Sequence, residues 1–426
     1  MNLLGIRNMA VVENPPQSLL NKCVIRALDH ENKVKHTLVL FKNLGEGVYE
    51  LPRALFEGEH TLLASNWTEI NFNLKVNLYP HQQEILNKFK NFYKPYKTFG
   101  GIIKAKTGTG KTVIGLAIAQ YIGLRTLIVV PTVVLLNQWI NRILEHTTLT
   151  RKDIGIIQGS KCVIDKPITI GILKSLAEIS YHKSVYENFG LTIYDEGHLL
   201  GAKTFSQVAP KFYDKFRLML SATPRRKDNA DNVFYYHIGR IIVNDTKVNT
   251  VPILTIVKYT DLNHKPYKYM AYGKFIQSRF LNYIANDTKR NKIIADIIKK
   301  AYNKGRHILV LSDRISQLEN IAKMIDGIDY GFVIGGKQDK NHRVILGTYQ
   351  VAGLGLDVKD LDVLIFATPR TDIEQAVGRI TRKENYEKPP VIVDIVDMKA
   401  EPMQAYFYKR NRFYKDLGCE RRIINV

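Results

Sequence analysis

Cysteine is scarce in this chain. Cys23, Cys162 and Cys419 are its only three, and their spacing suits neither a disulfide framework nor a tetrahedral metal site. Such usage excludes a stapled secreted scaffold and fits a reducing compartment, where each thiol packs as a small apolar group. Long apolar runs are missing as well. The longest, 126–136, is interrupted by Pro131 and falls far short of a bilayer span. The opening residues MNLLGIRNMA lack the apolar stretch of a secretory signal. Membrane and exported readings are set aside on these grounds. A cytoplasmic location is expected, in the host if the source is viral, as the abundance of Lys, Asn, Ile and Tyr suggests. No internal repeat or low-complexity segment is legible, the sequence leaves protein partners open, and the free chain is expected to be a monomer.

Acidic residues are in short supply. Forty Asp and Glu stand against 62 Lys and Arg, a formal net charge of +22. An excess of that size favours a polyanionic partner. Residues 1–75 hold eight residues of each sign, so the whole excess lies in 76–426. With 426 residues there is room for two or three domains. Short apolar runs punctuated by Gly and Pro make 1–75 a small β-rich or α+β accessory domain, a candidate for binding DNA branches. From 76 to 245, strand-like runs at 101–104, 126–130, 168–172, 191–194 and 217–220 alternate with helical patterns. This is an α/β lobe with a parallel sheet and functional loops at the strand ends. A second series, at 307–311, 331–334, 343–346, 363–367 and 391–395, forms another α/β lobe over 290–426. The segment 246–289 between them reads as a basic, aromatic connector.

What is present is a phosphate-binding loop. Ala105-Lys106-Thr107-Gly108-Thr109-Gly110-Lys111-Thr112 follows a strand and opens an apolar helix. Gly108 and Gly110 let backbone N–H groups converge on phosphate oxygens. Lys111 supplies charge to the β- and γ-phosphates, and the Thr112 hydroxyl is placed to ligate Mg²⁺. Downstream, Tyr194-Asp195-Glu196-Gly197-His198 ends another strand. There Asp195 can hold Mg²⁺ and Glu196 can polarise the attacking water. A third constellation is Gln375-Ala-Val-Gly378-Arg379-Ile-Thr-Arg382. Arg379 and Arg382, three apart on one helical face, suit a fork of donors aimed at a polyphosphate.

In order and spacing these motifs resemble the superfamily 2 helicases and translocases across most of 76–426. The resemblance implies two tandem RecA-like α/β domains, ATP and Mg²⁺ as cofactors, and nucleic acid as partner. It assigns Gln82, in Leu78-Tyr-Pro-His-Gln82, to adenine reading, and Ala105 to Thr112 to motif I. Val130-Pro131-Thr132 through Gln138-Trp139 matches motif Ia, and Lys174 and Ser175 lie where the first lobe touches the strand backbone. Asp195 to His198 resembles the DExH box, with glycine in the variable place. Ser221-Ala-Thr223 resembles motif III, coupling with His198 to the nucleic-acid path. Thr348 through Gly355-Leu-Asp357 matches motif V, with Thr348 on nucleic acid and Gly355 and Asp357 at the nucleotide. Gln375, Arg379 and Arg382 belong to motif VI.

Within the superfamily, PTxxLxxQW, the DExH box, the Arg-rich stretch after SATP and the basic, aromatic terminal helix with Arg412 and Tyr414 look most like the phage UvsW-type branch-migrating DNA helicases and their poxviral and repair-helicase relatives. The expected substrate is therefore forked or junction DNA, with roles in replication, recombination and repair. Two features depart from the pattern: 336–343 leaves room only for a short turn, and 1–75 matches no family element. An RNA helicase of viral transcription is the nearest alternative, and a nucleic-acid scaffold with a nucleotide switch a more distant one. In 258–292, eight basic residues are interleaved with seven aromatics. These aromatics either stack on bases or pack the segment against a lobe. Over 406–417 the seven-residue recurrence of aromatics favours an amphipathic docking helix.

Overall fold

Apolar runs without polar alternation become central strands, buried on both faces. The structure, a computed structural model, describes every residue outside 30, 57–66, 94–98, 106–108, 227, 246–249, 262–264, 336, 351–357, 359 and 382–385. It divides into two units, Met1–Thr246 and Lys247–Val426.

The unit 1 sheet has eight strands in the order Lys161–Cys162, Ile154–Gln158, Ile168–Ile172, Thr126–Val130, Leu191–Asp195, Phe216–Ser221, Phe99–Ala105 and Ile241–Asp245. Every pairing is parallel except that of the short first strand. Successive side chains alternate between the two faces. Ile103, Ile128, Val130, Ile193 and Leu220 pack with the helices Pro80–Phe92, Lys111–Ile122 and Val133–His146. Ile102, Leu127, Val129, Tyr194 and Met219 pack on the other side with Leu176, Phe189, Phe212 and Phe234. Helices thus cover both faces, and the strands' carboxyl ends carry the chemistry-bearing residues.

The N-terminal region is β-rich, as expected. It contains a four-stranded antiparallel sheet in the order Asn2–Ile6, Ala10–Glu13, Val48–Leu51 and Lys42–Gly45, and a hairpin of Val24–Leu28 with Val34–Val39. Its core is completed by Ala230 and Val233, beside and within the short helix Asn232–His237. Buried Arg53 donates to the Asp214 carbonyl at 2.5 Å and lies 3.2 Å from its carboxylate, which also accepts from Arg217 Nε at 2.8 Å. Charge neutrality of 1–75 therefore hides an internal ion-paired seam.

Unit 2 repeats the plan: Lys337–Gln338, Tyr330–Ile334, Val344–Thr348, Ile308–Ser312, Val363–Phe366, Val391–Asp397, Ile253–Tyr259 and Arg421–Asn425, parallel after the first pair. Within 336–343, expected to hold only a short turn, Lys337–Gln338 pairs antiparallel with Val333 and Ile334; Gly336 lies outside the described residues. The expected connector contains a strand of this sheet, Ile253–Tyr259, and a hydrophobic cluster of Tyr269, Phe280, Leu281 and Ile284 with Ala400 and Met403. Packing thus claims most of its aromatics, while Tyr267 and Tyr272 stay exposed. The terminal helix Glu401–Asp416 docks through buried Tyr414 with Phe407 and Phe413, and Arg412 stays exposed.

Candidate active site

The helix Lys111–Ile122 starts at Gly110, whose φ of 76° is left-handed, a conformation that favours glycine. A Cβ at this position would also come within 2.3 Å of Gln82 Nε2. Lys111 donates from Nζ to the carbonyl of Ala105 at 3.3 Å. Thr112 follows in the first turn, partly buried. The expected phosphate contacts Lys106, Thr107 and Gly108 lie outside the described residues.

Gln82 is buried and both ends of its amide are engaged. Oε1 accepts from Tyr79 N at 3.1 Å, and Nε2 donates to the Thr109 carbonyl at 3.1 Å. His81 Nε2 reaches the same carbonyl at 3.2 Å. Gln82 and His81 brace the phosphate loop from the helix Pro80–Phe92, and exposed Tyr79 stacks on the His81 ring.

Asp195 closes the strand Leu191–Asp195. Its Oδ2 accepts from Trp139 Nε1 at 2.8 Å and its Oδ1 from Glu196 N at 3.1 Å. Burial, and then the charge of Glu196, push its pKa up to about 6, while the Trp139 N–H and the charge of Lys111 pull the other way. Glu196 takes a left-handed φ of 52°, a conformation uncommon for a residue with a side chain and one that re-aims it at the turn. Its Oε2 is buried, accepts no hydrogen bond among the described residues and lies 3.4 Å from His198 Nδ1. His198 Nδ1 also lies 3.4 Å from Ser221 Oγ, which accepts from Thr223 N at 3.2 Å. These expected coupling residues are thus joined in one contact chain starting at the carboxylate. Glycine fills the variable place of the DExH box because a Cβ at 197 would meet Met219 Cγ at 2.8 Å.

Sequence reasoning missed two roles. Trp139 lies with Leu136 and Ile143 on the buried stripe of the helix Val133–His146, and a buried indole N–H must find an acceptor. That was a usable signal, and the acceptor is Asp195. Arg226 donates to the His198 carbonyl at 3.1 Å and pairs with Asp228 at 2.5 Å. It braces the acidic turn from the Arg-rich stretch that follows SATP.

The expected nucleic-acid contacts of unit 1 have local structural work. The Thr132 hydroxyl caps its helix, accepting from Leu135 N at 3.3 Å, with Pro131 just before it. Ser175 Oγ accepts from Gly159 N at 3.0 Å, while Lys174 is exposed. In unit 2, Thr348 ends a strand, and Gln375 and Arg379 sit on one helix, Glu374–Ile380, with Arg379 only 9% exposed. Gly355, Asp357 and Arg382 lie outside the described residues.

Comparison with known proteins follows the same residues. Residues 75–226 match the family described as Type III restriction enzyme, res subunit. An Acanthamoeba polyphaga mimivirus protein named "Putative ATP-dependent RNA helicase" is 32% identical over 355 residues, 79% of this chain and 67% of that protein. A protein of Invertebrate iridescent virus 6 named "Putative helicase" is 30% identical over 397 residues, 82% of this chain and 86% of that protein. The crystal structure of T4 UvsW aligns with 84% of this chain and 78% of its own at 20% identity and a TM-score of 0.35.

Proposed function

Since the chain belongs to the superfamily 2 helicases, we propose that it spends ATP, hydrolysed at Lys111, Asp195 and Glu196, on moving along DNA, with forked or junction DNA as substrate. The observation that carries the hydrolytic part is the Glu196 carboxylate, whose buried Oε2 accepts no hydrogen bond from the described residues although it adjoins Asp195. A buried acceptor held in that way is suited to take a proton from water.

Among the described residues, Asp195 has neutral donors and the charge of Lys111 to offset its burial, so a cation beside it is favoured. Thr112 and Asp195 are the residues that would hold Mg²⁺, which when bound neutralises charge on the nucleotide phosphates. Trp139 orients Asp195. Glu196 polarises the water. The contact of Glu196 with His198, and of His198 with Ser221, carries the state of the site toward Thr223. Arg379 is assigned the stabilisation of charge developing on the transferred phosphoryl group.

The DNA part rests on the resemblance to branch-migrating helicases and would bring roles in replication, recombination and repair. A second reading, action on RNA, is favoured by the name of the mimivirus relative. ATPase rates with single-stranded, duplex, forked and four-way-junction DNA and with RNA, side by side, test both. Strongest stimulation by branched DNA is expected. Equal or stronger stimulation by RNA would replace the DNA reading with the RNA one.

A further inference from the structure

Unit 2 contains an open cleft of about 730 Å³, lined by residues between Asp261 and Lys289. Its volume lies in the range, about 300–1,000 Å³, of pockets that enclose a small ligand. Four cations line it: Lys265, Lys268, Arg279 and Lys289, all exposed. Two carboxylates share the cleft and both are engaged. Asp261 accepts from the Tyr283 hydroxyl, and Asp287 accepts from the Tyr259 hydroxyl at 2.8 Å and caps a helix through Arg290 N at 3.0 Å. Among the described residues, none of the four cations forms an ion pair with either carboxylate. The cleft therefore presents net positive charge to solvent.

Its aromatic content sharpens the ligand class. Tyr283 is held by its hydroxyl and lies 6.0 Å from Lys268 Nζ, whereas Tyr267 is 71% exposed on the cleft lining. An aromatic face beside cations is the pattern that stacks bases while charges follow the phosphates. Neighbouring Tyr269, Phe275 and Phe280 pack against one another, which supplies a firm floor.

We propose that this cleft grips a single-stranded stretch of nucleic acid, with Lys265, Lys268, Arg279 and Lys289 on successive phosphodiesters and Tyr267 stacked on a base. The site deepens the helicase reading and rests on it: it gives unit 2 a hold on the strand that none of the shared motifs describes. The ligand chemistry is a phosphodiester strand with unpaired bases, and DNA and RNA arms distinguish the source.

The full chain is titrated against fluorescently labelled oligodeoxythymidine, oligouridine and a blunt duplex at several salt concentrations. Lys268→Ala with Arg279→Ala is expected to weaken single-strand binding about tenfold or more, and to lower the salt slope by about one per phosphate contact removed. ATPase without nucleic acid stays at the wild-type value, which also shows that the variant is folded. Tyr267→Ala is expected to cost about tenfold on single strands and little on the duplex, with Tyr267→Phe retaining affinity. Unchanged affinity and slope in the double variant, beside normal binding by the wild type, would overturn the cleft assignment and leave the helicase reading standing. An unchanged Tyr267→Ala would remove the stacking role. A wild-type protein that neither binds any of the three probes nor has its ATPase stimulated by them would overturn both.

Discussion

The fifth strand of the unit 1 sheet, Leu191–Asp195, runs out into Asp195 and Glu196; the fifth strand of the unit 2 sheet, Val363–Phe366, runs out into Phe366 and Ala367, both buried. Unit 2 is not short of carboxylates. On its sixth strand, Asp394 receives two hydrogen bonds from Arg410, at 2.8 and 2.9 Å, and one from Tyr414 at 2.9 Å. Asp397 is held by Arg290 Nε at 2.9 Å. Each of these two buried acids has a full positive charge against it. In unit 1 the acid at the strand end has an indole and a peptide N–H as hydrogen-bond partners. One scaffold thus serves two purposes. Internal pairing fixes the position of helices such as Glu401–Asp416, whereas incomplete neutralisation leaves a site that an outside cation and its phosphates can complete.

The comparison would break if unit 2 contributed nothing to the chemistry. Arg379→Ala is expected to lower ATP turnover by about 10³ or more while ATP still binds. Steady-state rates beside nucleotide titrations measure this, and near-normal turnover would confine hydrolysis to unit 1. Glu196→Gln tests the other side. Turnover should fall about 10²- to 10⁴-fold with ATP affinity kept, in contrast to Lys111→Ala, which should lose affinity itself.

The paired acids of unit 2 make a different demand. Arg410→Leu leaves Asp394 buried with Tyr414 as its remaining hydroxyl donor, and should cost about 3–5 kcal/mol of stability. Denaturant melts measure it, and a neutral result would mean that Asp394 is protonated or rehydrated. The finest effect concerns protons in unit 1. Because the Asp195 pKa is raised from 3.8 to about 6, the folded state holds a proton that the unfolded chain has released. Its stabilising contribution is complete below about 3.8 and is lost as pH rises through about 6. Without nucleotide, Asp195→Asn should therefore gain stability relative to wild type between pH 4 and 7, measured by thermal melts. Trp139→Phe removes a hydrogen bond that favours the carboxylate, so the acid limb of the ATPase profile should move to higher pH with a modest loss of rate. An unmoved limb would reduce Trp139 to a packing role.

Much of this was legible beforehand because it rests on local patterns. Runs such as 126–130 and 168–172 carry no charge and are buried at every position, and the strand bounds coincide with them. The acid pair and the phosphate loop are contiguous words. The strand Arg421–Asn425 lies at the sheet's edge, where every residue is exposed and arginines interrupt the apolar pattern, whereas Ile253–Tyr259, with no exposed residue, was hidden by the basic, aromatic composition of the segment around it. Aromatics were the hardest to read. Tyr267 and Tyr269 stand two apart with similar neighbours, yet one is 71% exposed and the other 3%. Only the fold decides between them. Gln82 illustrates a further limit, since its amide braces Thr109 in a way that no motif discloses. Nor does charge balance reveal that Arg53 enters a buried seam with Asp214 and Arg217. Removing the first 75 residues would strip that seam and uncover Ala230 and Val233, so point substitutions, rather than truncation, are the way to ask what the N-terminal region selects.

Only two tryptophans occur in the chain, Trp67 and Trp139. Trp67 points its indole N–H at the Tyr213 carbonyl at 3.2 Å, whereas Trp139 spends its own on Asp195. Replacing Trp67 with phenylalanine would leave a single tryptophan, bonded to the carboxylate expected to meet Mg²⁺ and excitable at wavelengths where tyrosine does not absorb. Its emission should shift when nucleotide and metal arrive, since both change the field along that N–H bond. Such a variant would carry its own optical gauge of nucleotide and metal occupancy, readable in stopped flow without a label.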